Sequence, residues 1–344
     1  NVDNQQLAAL IAMQGYNYHK RYKGNEYDPY VFRGLYYALA KVKGTNYNAL
    51  ILPTAINKLF ALAVSKQSSK FYASGNDGRV MEGDFLQMSS NPTPYKNEGY
   101  TNQALALSKD EKYLAVGNDS SVLELINLQS KEKPLLIRGH RGSITDIKCM
   151  PDNSGFISVS SGGTIHFTRQ NEGKSYKVEA LPFSFKAIDI SSDSQWIAAA
   201  TLEGKLILIN TKDYTHREIA NEAPNRILSV AFNPMRVNLL AYGMEVISQN
   251  KVVRGIVKMI DIETNKTKEL SGHRAGIADL KFSPDGKLLA SAGLDKKLQM
   301  WVVDHEEDLP IVMDNNNGNV WRIDFANGYD YLLGSCNNGE IRVW

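Results

Sequence analysis

The sequence predicts an all-β fold: a seven-bladed β-propeller of four-stranded antiparallel blades, preceded by a short α-helical hairpin. Three observations predict it. Inward strand starts recur seven times along the chain, the ends of the third strands recur with the same rhythm, and tight-turn sequences separate the strands of each unit. The common period is about 42 residues, which is the length of a four-stranded propeller blade.

Segments with the same alternation of apolar residues as residues 277–282 are expected to be the first strands of the blades. The strand start is the first position of each segment whose side chain is expected to point inward. The strand starts are Leu59, Asn102, Ile144, Phe185, Ile227, Ile277 and Val320. The third strands are expected to end at Gly83, Leu125, Thr168, Ile209, Ile260, Trp301 and Trp344. Each series has one long interval, and both long intervals span residues 244–254. We therefore expect a lengthened second hairpin in the fifth blade.

The sixth unit shows the pattern of a blade most clearly. Its apolar residues alternate with a period of two over residues 277–282 and 288–292, as half-buried strands require. The turn between them carries Pro284 and Gly286. Proline presets the first turn dihedral and glycine tolerates a positive φ, so this sequence predicts a hairpin.

Residues 1–46 are predicted to be a helical leader and residues 47–344 the propeller. In the leader, apolar residues recur at helical spacing over residues 7–18 and 31–42. Asp28 followed by Pro29 is typical of an N-cap with proline at the first helical position. We expect a helical hairpin whose tyrosines pack between the helices and against the propeller, with a ligand-binding aromatic cluster as the alternative.

The last unit ends at its third strand, so its outer strand has to come from elsewhere. The apolar segment 48–53 lies just before the first inner strand. We expect it to pair with residues 340–344, which closes blade 7 and covers an edge that would otherwise be exposed. On this expectation, replacing Ile51 by Asp lowers the melting temperature.

Charge and hydropathy exclude several classes of protein. Lys plus Arg number 39 against 37 for Asp plus Glu, so no strong field favours nucleic acid as a partner. The longest apolar runs have the length of strands, so no membrane span is expected. A closed ring has no edge that demands association, so the fragment is expected to be a monomer. The chain begins without Met and without a signal-peptide pattern, which favours a piece of a longer cytoplasmic protein.

No catalytic, cofactor or metal site is predicted. The six histidines include no His-x-x-x-His pair, and the two cysteines, Cys149 and Cys336, fall in non-neighbouring units. The Gly-x-Ser-x-Gly elbow and the complete phosphate-binding loop Gly-x-x-x-x-Gly-Lys-Ser/Thr are missing. The sequence therefore predicts a protein that is not an enzyme. The alternative is a propeller belonging to a hydrolase or other enzyme whose catalytic residues lie in another domain.

Surface loops supply the predicted binding site. In a propeller, the loops that enter each inner strand and those that link the second and third strands gather at one rim around the channel. Arginine is enriched at interface hot spots, so three arginines on this rim favour an acidic partner surface, with ordinary solvated loop charge as the alternative. The predicted rim residues are Lys58, Asn76, Thr101, Asn118, Arg141, Ser143, Ser184, Leu202, Arg226, Arg274, Leu294, Asn319 and Asn337.

Four side chains of the sixth unit resemble the motif of WD-repeat proteins. In that family the four form a hydrogen-bonded network inside a blade; here they are His273, Ser291, Asp295 and Trp301. Val302 stands where the family usually has the Asp of its Trp-Asp pair. The third unit departs further: it keeps His140 but has Gly162 at the position of the network Asp and Thr168 at that of the Trp.

The leader resembles the segment that precedes the propeller in bacterial STAND-type signalling proteins. The resemblance covers residues 10–16, Gly24 with Asn25, and residues 28–39. It implies a non-catalytic protein-interaction scaffold or sensor module of a larger multidomain bacterial protein. The partner would be another protein or an adjacent domain of the same longer chain.

Overall fold

A computed structural model of the chain describes residues 4–24, 28, 30–31, 34–38, 50–54, 56–96, 99–130, 132–170, 174–304, 310–313, 316–326 and 331–344. Seven four-stranded antiparallel sheets follow one another around a central channel. The first strand of each sheet lies against the first strands of its neighbours, so these strands line the channel. The predicted all-β, seven-bladed propeller is confirmed.

Each blade is built from four consecutive strands, except the last, which borrows one. Blades 1 to 3 are β2 (Leu59–Val64), β3 (Lys70–Gly75), β4 (Arg79–Asp84), β5 (Ser89–Lys96); β6 (Asn102–Leu107), β7 (Tyr113–Asn118), β8 (Leu123–Asn127), β9 (Leu135–Ile137); and β10 (Ile144–Cys149), β11 (Gly155–Ser160), β12 (Thr164–Arg169), β13 (Ser175–Ala180). Blades 4 and 5 are β14 (Phe185–Ile190), β15 (Trp196–Thr201), β16 (Lys205–Asn210), β17 (His216–Asn221); and β18 (Arg226–Phe232), β19 (Leu239–Ser248), β20 (Lys251–Asp261), β21 (Thr267–Ser271). Blades 6 and 7 are β22 (Ile277–Phe282), β23 (Leu288–Gly293), β24 (Leu298–Val302), β25 (Ile311–Met313); and β26 (Val320–Ala326), β27 (Tyr331–Cys336), β28 (Glu340–Val343) with β1 (Leu50–Pro53).

Strand β1 supplies the outer strand of blade 7. It runs antiparallel to β28, with Leu50 opposite Val343 and Pro53 opposite Glu340. Just beyond the pair, the Thr54 backbone N–H donates to the Gly339 carbonyl at 2.9 Å. The first strand of the described propeller is therefore joined to the last. Residues 48–49, which the sequence assigned to this strand, lie outside the described residues, as does the predicted boundary at residue 46.

The core lies between the blades. In the cluster that joins blades 5 and 6, for example, Val257 and Met259 pack with Ile277, Leu280 and Trp301, all of them buried. Similar clusters join other neighbouring blades. Since each blade buries both faces against its neighbours, the ring is a rigid support for the loops at its two ends.

The strand register corrects the predicted end of the third strand in blade 2. Trp301 lies opposite Leu289 in blade 6. In blade 2 the residue in the same register is Ile126, which lies opposite Leu114; the sequence analysis had chosen Leu125 instead.

The lengthened hairpin predicted for blade 5 is present, because β19 and β20 extend as a pair from Leu239 to Asp261.

The leader contains helix α1 (Asn4–Arg21) and a second helical segment over residues 30–31 and 34–38. The Asp28 Oδ1 atom accepts the backbone N–H groups of Tyr30 at 3.0 Å and Val31 at 3.1 Å, which is the expected N-cap. The expected packing of the leader tyrosines is wrong for Tyr18 and Tyr22. Both are exposed, and their ring centroids lie 4.4 Å apart.

The closing strand also corrects the choice of test residue. Leu52 is 3% exposed and packs in the core between blades 7 and 1, whereas Ile51, the residue singled out from the sequence, is 36% exposed. We expect Leu52→Asp to lower the free energy of unfolding by at least about 3 kcal/mol, and Ile51→Asp by less than about 1 kcal/mol. Urea denaturation of both variants measures the difference. Equal losses would show that burial of β1 does not hold the ring closed.

Candidate partner-binding site

The hydrogen-bonded network of blade 6 connects all four motif side chains. His273 Nδ1 lies 3.0 Å from Asp295 Oδ1, and His273 Nε2 lies 2.8 Å from Ser291 Oγ. Trp301 Nε1 donates to the same Ser291 oxygen at 2.9 Å. Asp295 Oδ2 also accepts the backbone N–H of Arg274 at 2.8 Å, so the network fixes the loop that carries this rim arginine.

Blade 3 builds a similar network from different residues. His140 Nε2 lies 2.8 Å from Ser158 Oγ, and His140 Nδ1 lies 2.8 Å from Thr164 Oγ1. Thr164 therefore takes the place of the network Asp, for which the sequence analysis expected position 162. The same hydroxyl accepts the backbone N–H of Arg141 at 3.2 Å, so this network also fixes a rim arginine.

The His140 ring is held neutral. It is buried and stacks on the His166 ring, with 4.2 Å between centroids. Burial, with a smaller contribution from the His166 charge, lowers the pKa of His140 to about 3.

Blade 7 lacks the serine of the network. Gly334 occupies the register position that Ser291 has in blade 6. Trp344 Nε1 is therefore buried without a hydrogen-bond partner among the described residues. The motif tryptophan of this blade contributes packing alone.

The predicted rim residues lie at one end of the first strands, on loops except for Asn118, the last residue of β7, and Arg226, the first residue of β18. In blade 6 the Leu294 N–H donates to the Gly276 carbonyl at 2.9 Å, and in blade 7 the Asn337 N–H donates to the Asn319 carbonyl at 3.0 Å. Such bonds tie the two loops of a blade together. The exposed members of the predicted set are Lys58, Asn76, Arg141, Leu202, Arg226 and Arg274; the half-buried members are Thr101, Ser143, Ser184, Leu294, Asn319 and Asn337.

Two members of the predicted set are committed to contacts within the protein. Asn118 is buried, and its Oδ1 atom accepts the backbone N–H groups of Ser120 and Val122, so it shapes its own turn. Arg226 forms an ion pair with the buried Glu245 at 3.0 Å. Asn118 therefore offers no surface to a partner, and the charge of Arg226 is already balanced.

Arg141 and Arg274 differ from Arg226. Both are exposed, and neither guanidinium forms an ion pair within the described part of the chain. Only the backbone N–H group of each is engaged, by the networks of blades 3 and 6. These two arginines are therefore the free cationic groups among the three that the sequence singled out.

The channel opens as a cavity of about 420 Å³ at the end that carries the predicted rim, and as a cavity of about 440 Å³ at the opposite end. We call the smaller one the mouth cavity. Its lining residues are Lys58, Phe60, Gln103, Lys186, Ala278, Trp321, Arg322 and Asn337. Of these, the sequence analysis selected only Lys58 and Asn337.

The mouth cavity has an aromatic wall and a half-buried cation. The Phe60 and Trp321 rings meet edge to face, with 5.6 Å between centroids and 86° between planes. Lys186 Nζ lies 6.0 Å from the centroid of the Trp321 ring. Burial, together with the nearby Arg322 charge, lowers the pKa of Lys186 to about 8.

Strand alternation could have found this wall. Phe60, Lys186 and Trp321 each follow by one residue an inward landmark of their strand, Leu59, Phe185 or Val320. Because neighbouring side chains on a strand point to opposite sides, these residues face the channel. The landmarks themselves are buried between the blades.

Arg322 crosses the channel from blade 7 and separates the two cavities. One of its terminal nitrogens lies 3.4 Å from Asp146 Oδ1 and donates to the Thr145 carbonyl at 3.1 Å, both in blade 3. The other lies 3.8 Å from Asp279 Oδ1 of blade 6. Burial alone would lower the pKa of Arg322, but the two carboxylates hold it above its usual value.

The carboxylates beside Arg322 also join neighbouring blades. Asp146 accepts the backbone N–H of Ile188 in blade 4 at 3.0 Å, and Asp279 accepts that of Ile323 in blade 7 at 2.9 Å. Each carboxylate therefore has a hydrogen-bond donor from the next blade and a positive charge from the channel.

Other chemical sites are not seen in the ranges that the structure covers. Within them, no three His, Cys, Asp or Glu side chains are placed to hold a metal ion. Cys149 and Cys336 are free thiols, and burial raises the pKa of Cys336 to about 12. None of the helices found there is long and apolar enough to cross a membrane.

Comparison with known protein families places two of these blades in a repeat class. The model of the WD domain, G-beta repeat, matches residues 132–167 and 264–302, which contain the networks around His140 and His273. The matches support a WD-repeat β-propeller family.

The chain is similar to several eukaryotic proteins. Periodic tryptophan protein 2 of Arabidopsis thaliana is 26% identical over 200 residues, which are 56% of this chain and 21% of that protein. Serine-threonine kinase receptor-associated protein of Gallus gallus is 23% identical over 203 residues, 58% of this chain and 54% of that protein. Apoptotic protease-activating factor 1 of Rattus norvegicus is 24% identical over 187 residues, 54% of this chain and 14% of that protein. The matched region thus spans about a fifth of the first relative and about half of the second. The WD-repeat matches support a protein-interaction scaffold role.

Removing the Arg322 charge should leave two buried carboxylates without their cation. We expect Arg322→Met to lower the free energy of unfolding by about 3–5 kcal/mol, because breaking a buried ion pair exposes the full cost of the remaining charge. Asp146→Asn in the same protein should restore part of that loss. Urea denaturation measures both, and the same loss with and without the second change would contradict an electrostatic role for Arg322.

The pKa of His140 predicts an acid-sensitive blade 3. Its folded pKa, about 3, lies below the ordinary value of 6.5, so the unfolded chain takes up a proton that the folded protein does not. The stability that this group contributes is lost as pH falls below about 6.5, at up to about 1.4 kcal/mol per pH unit. Denaturation at pH 7 and pH 5 should show a smaller acid loss for His140→Gln than for the unchanged protein. Identical losses would show that folding does not lower the pKa of His140.

Proposed function

We propose that this chain is a non-catalytic interaction module of a larger multidomain protein, and that a partner protein, or an adjacent domain of the same longer chain, binds the rim around the mouth cavity. One observation carries the proposal: exposed, unpaired arginines lie on loops at the end of a rigid ring where a cavity lined by a half-buried lysine opens. Binding surfaces of this kind combine loops with a scaffold that does not deform.

Charge defines the partner surface. Arg141 lies on blade 3 and Arg274 on blade 6, and the backbone of each is anchored by a side-chain network. An anchored loop loses little conformational entropy when its arginine binds, so the contact favours affinity. The complementary surface carries carboxylates, with which arginine forms two parallel hydrogen bonds.

The setting of the module is a further part of the proposal. A cytoplasmic location is consistent with the free thiols, since disulfides are uncommon there. The name of one relative describes a protein associated with a receptor, which is consistent with a binding role. A bacterial STAND-type context rests on the resemblance of the leader alone.

Charge reversal tests the rim. We expect a tagged form of the protein to retain a partner from lysate of its source, and the double variant Arg141→Glu with Arg274→Glu to lose it. The control is Lys212→Glu with Lys266→Glu, two exposed lysines on turns after the third strands, at the opposite end of the blades.

The control makes the same change in net charge on the other surface. Partner loss in the arginine variant alone supports the rim. Loss in both variants, or in the lysine variant alone, would place the partner elsewhere.

A further inference from the structure

The mouth cavity contains a cation that nothing in the protein balances directly. Lys186 Nζ has no hydrogen bond and no carboxylate within 4.0 Å in the described part of the chain. The second cation of the lining, Arg322, is half-buried and is engaged by Asp146 and Asp279 on its other side. No Asp or Glu is among the residues that line the cavity.

A half-buried ammonium group without a counter-ion is costly, because the charge has lost part of its water without gaining a partner. The structure reduces this cost only partly, through the Trp321 ring face at 6.0 Å. The cavity of about 420 Å³ has room for a side chain beside the lysine. An anionic group that enters it would supply the missing hydrogen-bond acceptor.

The walls select among anions. Phe60 and Trp321 present apolar surface, which suits a ligand with an aliphatic stem. Phosphate groups prefer clusters of arginine and backbone donors, whereas the one arginine here is already paired with two carboxylates. The lining residues therefore fit a singly charged carboxylate better than a phosphate.

We propose that the mouth cavity binds a glutamate side chain of the partner polypeptide, with its carboxylate on Lys186 Nζ and its aliphatic stem against Phe60 and Trp321. The inference rests on the proposed function, because it assigns to the partner the residue that enters the channel. Arg141 and Arg274 then contact the acidic surface around that residue.

The charged groups that face Lys186 are Arg322, Asp146 and Glu245. Model carboxylic acids and guanidinium groups keep their charge between pH 7 and 9.5. The lowered pKa of Lys186, about 8, lies within this range. Binding that depends on this ammonium group should therefore weaken as pH rises from 7 to 9.5.

An array of capped octapeptides tests the proposal without a known partner. Each peptide pool has a fixed central residue, either Glu or Gln, between degenerate flanking positions. We expect the Glu pool to retain at least ten-fold more protein than the Gln pool at pH 7, and this ratio to fall at pH 9.5. Lys186→Met should abolish the ratio. Lys186→Arg should keep the ratio and remove its dependence on pH.

Lys212→Met is the matched control, because Lys212 is an exposed lysine on the turn after the third strand of blade 4, at the opposite end of the blades from the cavity. It should change the ratio by less than two-fold. Equal retention of the Glu and Gln pools, or a ratio that survives Lys186→Met, overturns the glutamate assignment. The rim proposal is tested separately by the arginine variant, which can lose its partner whether or not the Glu pool is preferred. A glutamate preference without any effect of the arginine variant would keep the cavity assignment and reject the rim.

Discussion

The pairing of β1 with β28 is the contact on which the rest of the structure depends. It joins a strand near residue 50 to one that ends at residue 343, and so converts a row of blades into a ring. Without it, blade 7 would have three strands and an open edge, which is a site for unwanted pairing. The channel, its two cavities and the rim exist only because the first and last blades face each other.

Closure also sets the electrostatics of the channel. Arg322 of blade 7 reaches carboxylates of blades 3 and 6, and such a contact across the ring requires that the blades hold fixed positions. Backbone groups of the next blades complete the hydrogen bonding of these carboxylates. The charges of Arg322, Asp146 and Asp279 are thus satisfied by residues distant in sequence, and they add contacts between blades that the apolar clusters do not supply.

The sequence predicts the fold well because the same pattern of strands and turns occurs in every blade. Strand starts, turns and the long fifth hairpin all follow from period and turn chemistry. The prediction of the buried residue in the closing strand is wrong by one position, because Leu52 is buried and Ile51 is not. The prediction of the network residue in blade 3 is wrong because Thr164, and not residue 162, contacts His140. Register and hydrogen bonding decide these cases, and both require the partner strand.

The candidate site is less predictable from sequence, for a related reason. Loop positions identify the rim, but whether an arginine is free depends on residues such as Glu245, which is 19 positions from Arg226 in the chain. The mouth cavity gathers Phe60, Lys186 and Trp321 from three blades, so no local motif marks it. Alternation along each inner strand indicates the channel-facing residues, while their meeting around one cavity is a property of the closed ring.

The geometry of the closing pair has a mechanical consequence. Leu50 and Val343 lie opposite each other at the same end of two antiparallel strands. A pulling force applied at these two points loads the hydrogen bonds one after another, like a zip, instead of all together in shear. The ring is therefore stiff against pressure on its rim but weak against tension between residues 50 and 343. Under such tension it would open at blade 7.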